Sequence, residues 1–149
     1  MRDIINEAFK AAMKAQDKRK VSTLRLIMAA LKDRDIEARG AGKEKITDDE
    51  LLGLMQKMIK QRQESAEIYQ KAGRDDLYTQ ETEEIAIISG FLPKQMDDAE
   101  IAAVVAEAIS TTGAAGLRDM GKVMAHLKAG YAGQMDFGKV SALLKDKLK

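Results

Sequence analysis

Residues 51–96 read LLGLMQKMIKQRQESAEIYQKAGRDDLYTQETEEIAIISGFLPKQM, and the parsing of this stretch decides the fold. Apolar or small residues recur at Leu51, Met55, Met58, Ile59, Ala66, Ile68, Tyr69 and Ala72, steps that keep them on one side of an α-helix. Two polar residues, Arg62 and Ser65, fall on or beside that stripe. Gly73 lacks a Cβ and can take the left-handed conformation that ends a helix. Asp75 or Asp76 can then accept from the free amides of a following helix. That second helix, over about 76–90, puts Leu77, Tyr78, Ile85 and Ile88, with Leu92 beyond it, within reach of a shared core. Pro93 is the only proline in the chain; it cannot donate a backbone hydrogen bond and disfavours helix at Leu92, so we read a domain border there.

Upstream, Thr47 and Glu50 form a capping box that opens the helix at Leu51. Before it, Ser22 or Thr23 can open a helix running to about Arg39, with a stripe of Leu24, Ile27, Met28, Leu31 and Ile36. Gly40-Ala41-Gly42-Lys43 stops it; the cluster lacks the spacing and the preceding strand of a phosphate-binding loop. The first helix, within 1–16, carries Ile4, Ile5, Ala8, Phe9, Ala12 and Met13. Lys14, Lys18, Arg19 and Lys20 follow, read as cations at the negative pole of that helix, either solvated or in contact with phosphate. Residues 1–93 are thus expected to form an antiparallel bundle of four helices.

Beyond Pro93, Asp97 and Glu100 suggest a second capping box, followed by Ile101, Val104, Val105, Ala108 and Ile109. Gly113 and Gly116 break that helix, and Met120, Val123, Met124 and Leu127 mark the next. Gly121 interrupts it early, which we attribute to close approach of another backbone. After a loop at Gly130-Tyr131-Ala132-Gly133, Asp136 can cap a last helix with Val140, Leu143, Leu144 and Leu148. Residues 94–149 are expected to form a three-helix domain, and the chain as a whole is all-α.

Composition agrees with that class. Hydrophobic residues make up 45%, aromatics only 4%, and there are nine methionines, which points to an aliphatic, adaptable core. Charged residues reach 33% but the net charge is +1, with 17 basic and 17 acidic groups in 1–93 and 8 and 7 in 94–149. Any electrostatic surface must therefore come from sorting within the fold. There is no cysteine, no N-terminal apolar block and no run long enough to span a membrane, so a soluble cytoplasmic protein is expected.

Little in the sequence suggests bond-making chemistry. Without cysteine, a nucleophile for amide transfer would have to be a serine, and Ser22, Ser65, Ser89, Ser110 and Ser141 all lie on helical patterns without glycine-rich flanks. His126 is the sole histidine, read as a surface or packing residue. Glu81, Glu83 and Glu84 read as a charged helix face rather than a metal site. We expect no catalytic residue, metal or cofactor. Arg62 and Ser65 admit two readings: a polar site for a carboxylate or phosphate, or an internal pairing of Arg62 with Glu81 or Glu84. Arg74 carries the same pair of readings.

Several of these residues occur together in a known family. Ser22-Thr23-Leu24-Arg25-Leu26, Lys60-Gln61-Arg62 with Ser65 and Tyr69, Ala72-Gly73-Arg74, Asp76-Leu77, Glu81, Glu84 and Leu92-Pro93 together resemble the YqeY family over nearly the whole chain. Met120-Gly121-Lys122-Val123-Met124 through Gly133, Asp136, Val140, Leu144 and Leu148 also resemble the tail of GatB, a component of the tRNA-dependent amidotransferase. That enzyme converts glutamate or aspartate charged on tRNA into glutamine or asparagine. The likeness covers only the tail, which helps by contacting tRNA while catalysis resides elsewhere, and the loop 129–135 here is less basic than its counterparts.

The resemblance implies an accessory module that binds tRNA near amidation or aminoacyl-tRNA synthesis, with Arg118, Lys122, Lys128 and Lys139 as candidate RNA contacts. An aminoacyl-tRNA synthetase or amidotransferase component is the protein partner it implies. Two alternatives stand beside it. One is an adaptor whose methionine-rich helical surface docks a partner protein. The other is carbon–nitrogen ligation with glutamine as amide donor within a larger complex.

Overall fold

Thr47 opens the longest helix of the protein, in a computed structural model that describes residues 1–149. Its hydroxyl accepts from the Glu50 amide at 3.1 Å, while the Glu50 carboxylate accepts from the Thr47 amide at 3.4 Å, so the predicted capping box is present in both halves. A cap of this kind contributes about 1 kcal/mol. The helix, α3 (Asp48–Lys71), follows α1 (Arg2–Lys14) and α2 (Lys18–Gly40) and precedes α4 (Asp75–Ser89). Then come α5 (Asp98–Thr112), a 3-10 turn (Leu117–Asp119), α6 (Met120–Tyr131) and α7 (Phe137–Lys147), with no strand anywhere. The chain is all-α, as its stripes predict. It divides into two compact units, Met1–Leu92 and Pro93–Lys149.

In the first unit α2 packs against each of the other three helices, and α3 lies along α4. Ile5, Leu24, Ile27, Leu51, Met55 and Ile88 are fully buried between them. In the second, α5, α6 and α7 enclose Val105, Val123, Leu127, Met135, Val140 and Leu144.

Several local expectations give way. α2 begins at Lys18, four residues before Ser22, because the Asp17 carboxylate takes the cap and accepts from the Lys20 amide at 3.1 Å. The Ser22 and Thr23 hydroxyls instead donate back to the Arg19 carbonyl within the helix. Lys18, Arg19 and Lys20 therefore lie at the positive pole of α2, not the negative pole of α1, an unfavourable place that Arg19 offsets by pairing with Glu83 at 3.0 Å. α4 starts at Asp75 with no side-chain cap; Asp75 and Asp76 lie in its first turn, where their charge suits the dipole. Ile4, Met13, Ile36 and Ile68 leave their expected stripes and stand exposed.

Gly73 and Gly113 take positive φ of 71° and 69° at their helix ends, as read. Gly121 does not meet another backbone: a Cβ there would find nothing within 4 Å. At α5 only half of the expected box forms, Asp97 accepting from the Glu100 amide at 2.7 Å. Asp136 caps α7 by accepting from the Gly138 amide at 2.9 Å.

The methionines go inward. Met55, Met58 and Met135 are buried, and Met1, Met28, Met96, Met120 and Met124 pack on the cores, leaving only Met13 largely exposed. This corrects the idea of a methionine-rich docking surface, because flexible thioethers here fill gaps between helices. Gly130 and Tyr131, expected in a loop, complete the last turn of α6, and the turn that follows, 132–135, folds over the segment after Pro93. The Met96 amide donates to the Gln134 carbonyl at 2.9 Å and the Gln95 side-chain amide to the Gly133 carbonyl at 2.6 Å, and Met135 enters the core.

Candidate nucleic-acid interface

Two groups of polar side chains stand out from the sequence, one in each unit, and they are built in opposite ways. In the first unit the stripe of α3 carries Arg62 toward α4. Its Nε donates to Glu84 Oε2 at 2.9 Å and its Nη1 to the Met58 carbonyl at 3.2 Å, while Gln80 donates to Glu84 Oε1 at 3.3 Å. The Arg62 and Glu84 side chains are 14% and 7% exposed, so this is an interior ion pair. Burial pushes the neighbouring Glu81 carboxyl up, the Glu84 charge adds to the effect, and Arg62 pulls part of it back. Ser65 lies about one turn farther along α3, half-buried, and no hydrogen bond joins it to Arg62 or Glu84. Arg74 is about three turns from Arg62 at the exposed α3–α4 turn, where it meets Asp76 at 3.4 Å. The three residues do not form one site.

A second polar knot, which nothing local in the sequence signals, ties α1 to α2. Arg2 donates to both oxygens of Asp35, at 2.8 and 2.9 Å, and to the Ile46 carbonyl at 3.0 Å, while the Ile46 amide donates to Asp35 at 3.0 Å. The Arg2 guanidinium and the Ile46 amide lower the Asp35 carboxyl to about 2.

The second unit leaves its cations in water. Arg118 lies in the 3-10 turn, Lys122 and Lys128 on α6, and Lys139 in the first turn of α7; all four are exposed and none enters an ion pair. Between Arg118 and Lys122, the Asp119 carboxylate accepts from the Ala115 amide at 2.9 Å. It is held below its ordinary range first by that bond, then by the Gly116 amide, and lastly by the charges of Arg118 and Lys122. The Lys128 ammonium lies over the Phe137 ring, 6.0 Å from its centroid, at the α6–α7 junction. At the far end of the unit Lys149 pairs with Asp146 at 3.7 Å.

Sequence reasoning names four cations and misses Lys145 and Lys147, exposed on the last turn of α7. Counting charge over 94–149 hides them. The acids Asp97, Asp98 and Glu100 gather at the start of α5, whereas 117–149 holds seven basic residues against three acidic ones. Each of those three carboxylates already accepts an amide or pairs with a lysine. A window matched to α6 and α7 reveals the excess.

The family model described as "Yqey-like protein" matches residues 2–148. The chain belongs to the YqeY-like family. Among curated proteins it is similar to "Altered inheritance of mitochondria protein 41, mitochondrial" of Vanderwaltozyma polyspora, 32% identical over 88 residues, or 59% of this chain and 46% of that protein. The proteins of the same name from Eremothecium gossypii and Lachancea thermotolerans are 31% and 33% identical over the same length. The chain thus spans about half the length of the curated relatives it matches. Their name places those yeast proteins in mitochondria, a compartment outside the cytoplasmic expectation. No single helix here is long and apolar enough to cross a membrane.

Proposed function

We propose that this family member is an accessory RNA-binding module, with the backbone of tRNA as its ligand. The observation that supports the reading most is the set of exposed, unpaired cations Arg118, Lys122, Lys128 and Lys139 on one small unit. A free ammonium or guanidinium that neutralises a phosphate releases a condensed counterion, and this release drives most non-specific nucleic-acid binding. A cation already paired with a carboxylate gains less from the exchange. The likeness of 120–148 to the GatB tail supports tRNA among polyanions, and with it action beside amidation or aminoacyl-tRNA synthesis, in the cytoplasm. A synthetase or amidotransferase component would then be the neighbouring protein.

The test is a fluorescence titration of total tRNA at low salt, using the full chain and the variant Arg118→Gln/Lys122→Gln/Lys128→Gln/Lys139→Gln. Binding by the full chain and its loss in the variant are expected. No binding at tens of micromolar, about the weak end of non-specific interactions, overturns the reading. In this reading the chain has no amide-transfer activity of its own. Ammonia release from glutamine with charged tRNA and ATP would replace it with the ligase alternative.

A further inference from the structure

The first unit carries a surface groove of about 280 Å³ along α2, lined by Asn6 of α1 and by Met28, Leu31, Lys32, Asp35, Ile36 and Arg39. Two features set it apart from ordinary surface. Met28, Leu31 and Ile36 form an apolar strip along its floor and wall, and Ile36 remains 54% exposed. Its net charge is positive although a carboxylate lies in it. Asp35 is compensated mainly by the double bond to Arg2 and by the Ile46 amide, with a smaller share from the charge of Arg39. Lys32 enters no ion pair, and Arg39 donates only to the Glu44 carbonyl at 3.2 Å. Asp3, Asp33 and Glu37 lie outside the lining. Lys32 and Arg39 are seven residues apart, two turns along one side of α2, with Ile36 between them.

We propose that this groove docks a short amphipathic helix of a partner protein, one that carries acidic residues beside its apolar face. Aliphatic anchors three or four residues apart cover Met28, Leu31 and Ile36, the helix-in-groove mode of recognition. Carboxylates about two turns apart on the same helix reach Lys32 and Arg39, which set direction and register. The apolar contact supplies affinity and the two cations supply choice, because a basic helix of the same shape meets like charge.

The probe is a synthetic helical peptide of about 14 residues, or four turns, with leucines on one face and glutamates beside them. A twin carries lysine at every glutamate position. Backbone amide shifts of the full chain, followed by NMR during titration, are expected to change around Asn6, Met28, Lys32, Ile36 and Arg39 with the acidic peptide and much less with the basic one. Ile36→Glu should weaken the acidic peptide about tenfold or more, the loss of one buried apolar anchor. Lys32→Glu/Arg39→Glu should reverse the preference between the two peptides. All three residues are exposed on a formed helix or at its rim, so unchanged thermal unfolding verifies that the variants fold. Equal response to both peptides, shifts centred elsewhere, or no effect of Ile36→Glu would overturn the proposal. So would self-association of the unmodified chain that Ile36→Glu abolishes, which assigns the face to a second copy. A tRNA affinity that falls with Lys32→Glu/Arg39→Glu as far as with the four-fold glutamine variant would assign the cations to RNA instead.

Discussion

The two units use similar cores and opposite electrostatics. In Met1–Leu92 four of the seven arginines turn inward or sideways to carboxylates: Arg2 to Asp35, Arg19 to Glu83, Arg62 to Glu84, Arg74 to Asp76. In Pro93–Lys149 Asp97, Asp119 and Asp136 are taken by backbone amides at helix starts and turns, and the cations other than Lys149 are left facing solvent. Near-equal counts of charge in the two parts of the chain conceal this difference. It follows that the four arginine pairs of the first unit work for structure, with Lys32 and Arg39 at the α2 groove the exception, whereas the cations of α6 and α7 are left without carboxylate partners.

The strongest way to break the comparison is at the interior pair. Glu84→Ala leaves the Arg62 guanidinium buried without its partner and should cost about 3–5 kcal/mol, read as a lower urea midpoint. Replacing both, as Arg62→Met/Glu84→Leu, should restore most of that loss. A cost below about 1 kcal/mol for Glu84→Ala would mean the pair behaves as a surface contact, and the contrast between units would fail.

The Arg2–Asp35 knot sharpens the same point through pH. Folding lowers the Asp35 carboxyl from its ordinary 3.8 to about 2, so its contribution is present in full above the ordinary value and is lost as pH falls toward about 2. Urea midpoints between about pH 2 and pH 6 should show the full chain more stable than Asp35→Asn at the upper end and the two converging at the lower. A difference independent of pH would remove the ionic account.

Stability in the second unit should respond to backbone geometry instead. Gly121→Ala is expected to stabilise by about 1 kcal/mol, since the site is helical and open. Gly113→Ala should destabilise, because its φ of 69° strains a residue with a Cβ. Thermal unfolding of both variants measures the pair of signs. Smallest of all, each single glutamine substitution at Arg118, Lys122, Lys128 and Lys139 should change stability by no more than about 0.5 kcal/mol, as exposed side chains outside ion pairs do.

Much of the fold can be read from local signals. Thr47 with Glu50, Gly73, Gly113 and Asp136 each act through neighbours within a few residues, so their roles are visible in one dimension. Asp17 escapes such a reading because three cations after it imitate a helix end, and two hydroxyl residues offer a rival start. Met135 lies in a loop without periodicity, and only tertiary packing shows that it is core. The pairing of Arg2 with Asp35 spans 33 residues and has no pattern to announce it. The candidate interface is half legible: exposed cations can be named from sequence, but whether a carboxylate neutralises each depends on the folded chain.

The salt dependence of tRNA binding tests the central claim most directly. The slope of log affinity against log salt should fall by about 0.9 for each phosphate contact removed in a duplex stem, so the four-fold glutamine variant should lose a slope of about 3 to 4. Removing Arg19 and Arg74, the exposed and paired arginines of the first unit, should leave the slope nearly unchanged. Equal losses from the two sets, or a slope that no substitution in 117–149 alters, would contradict the division of labour described here.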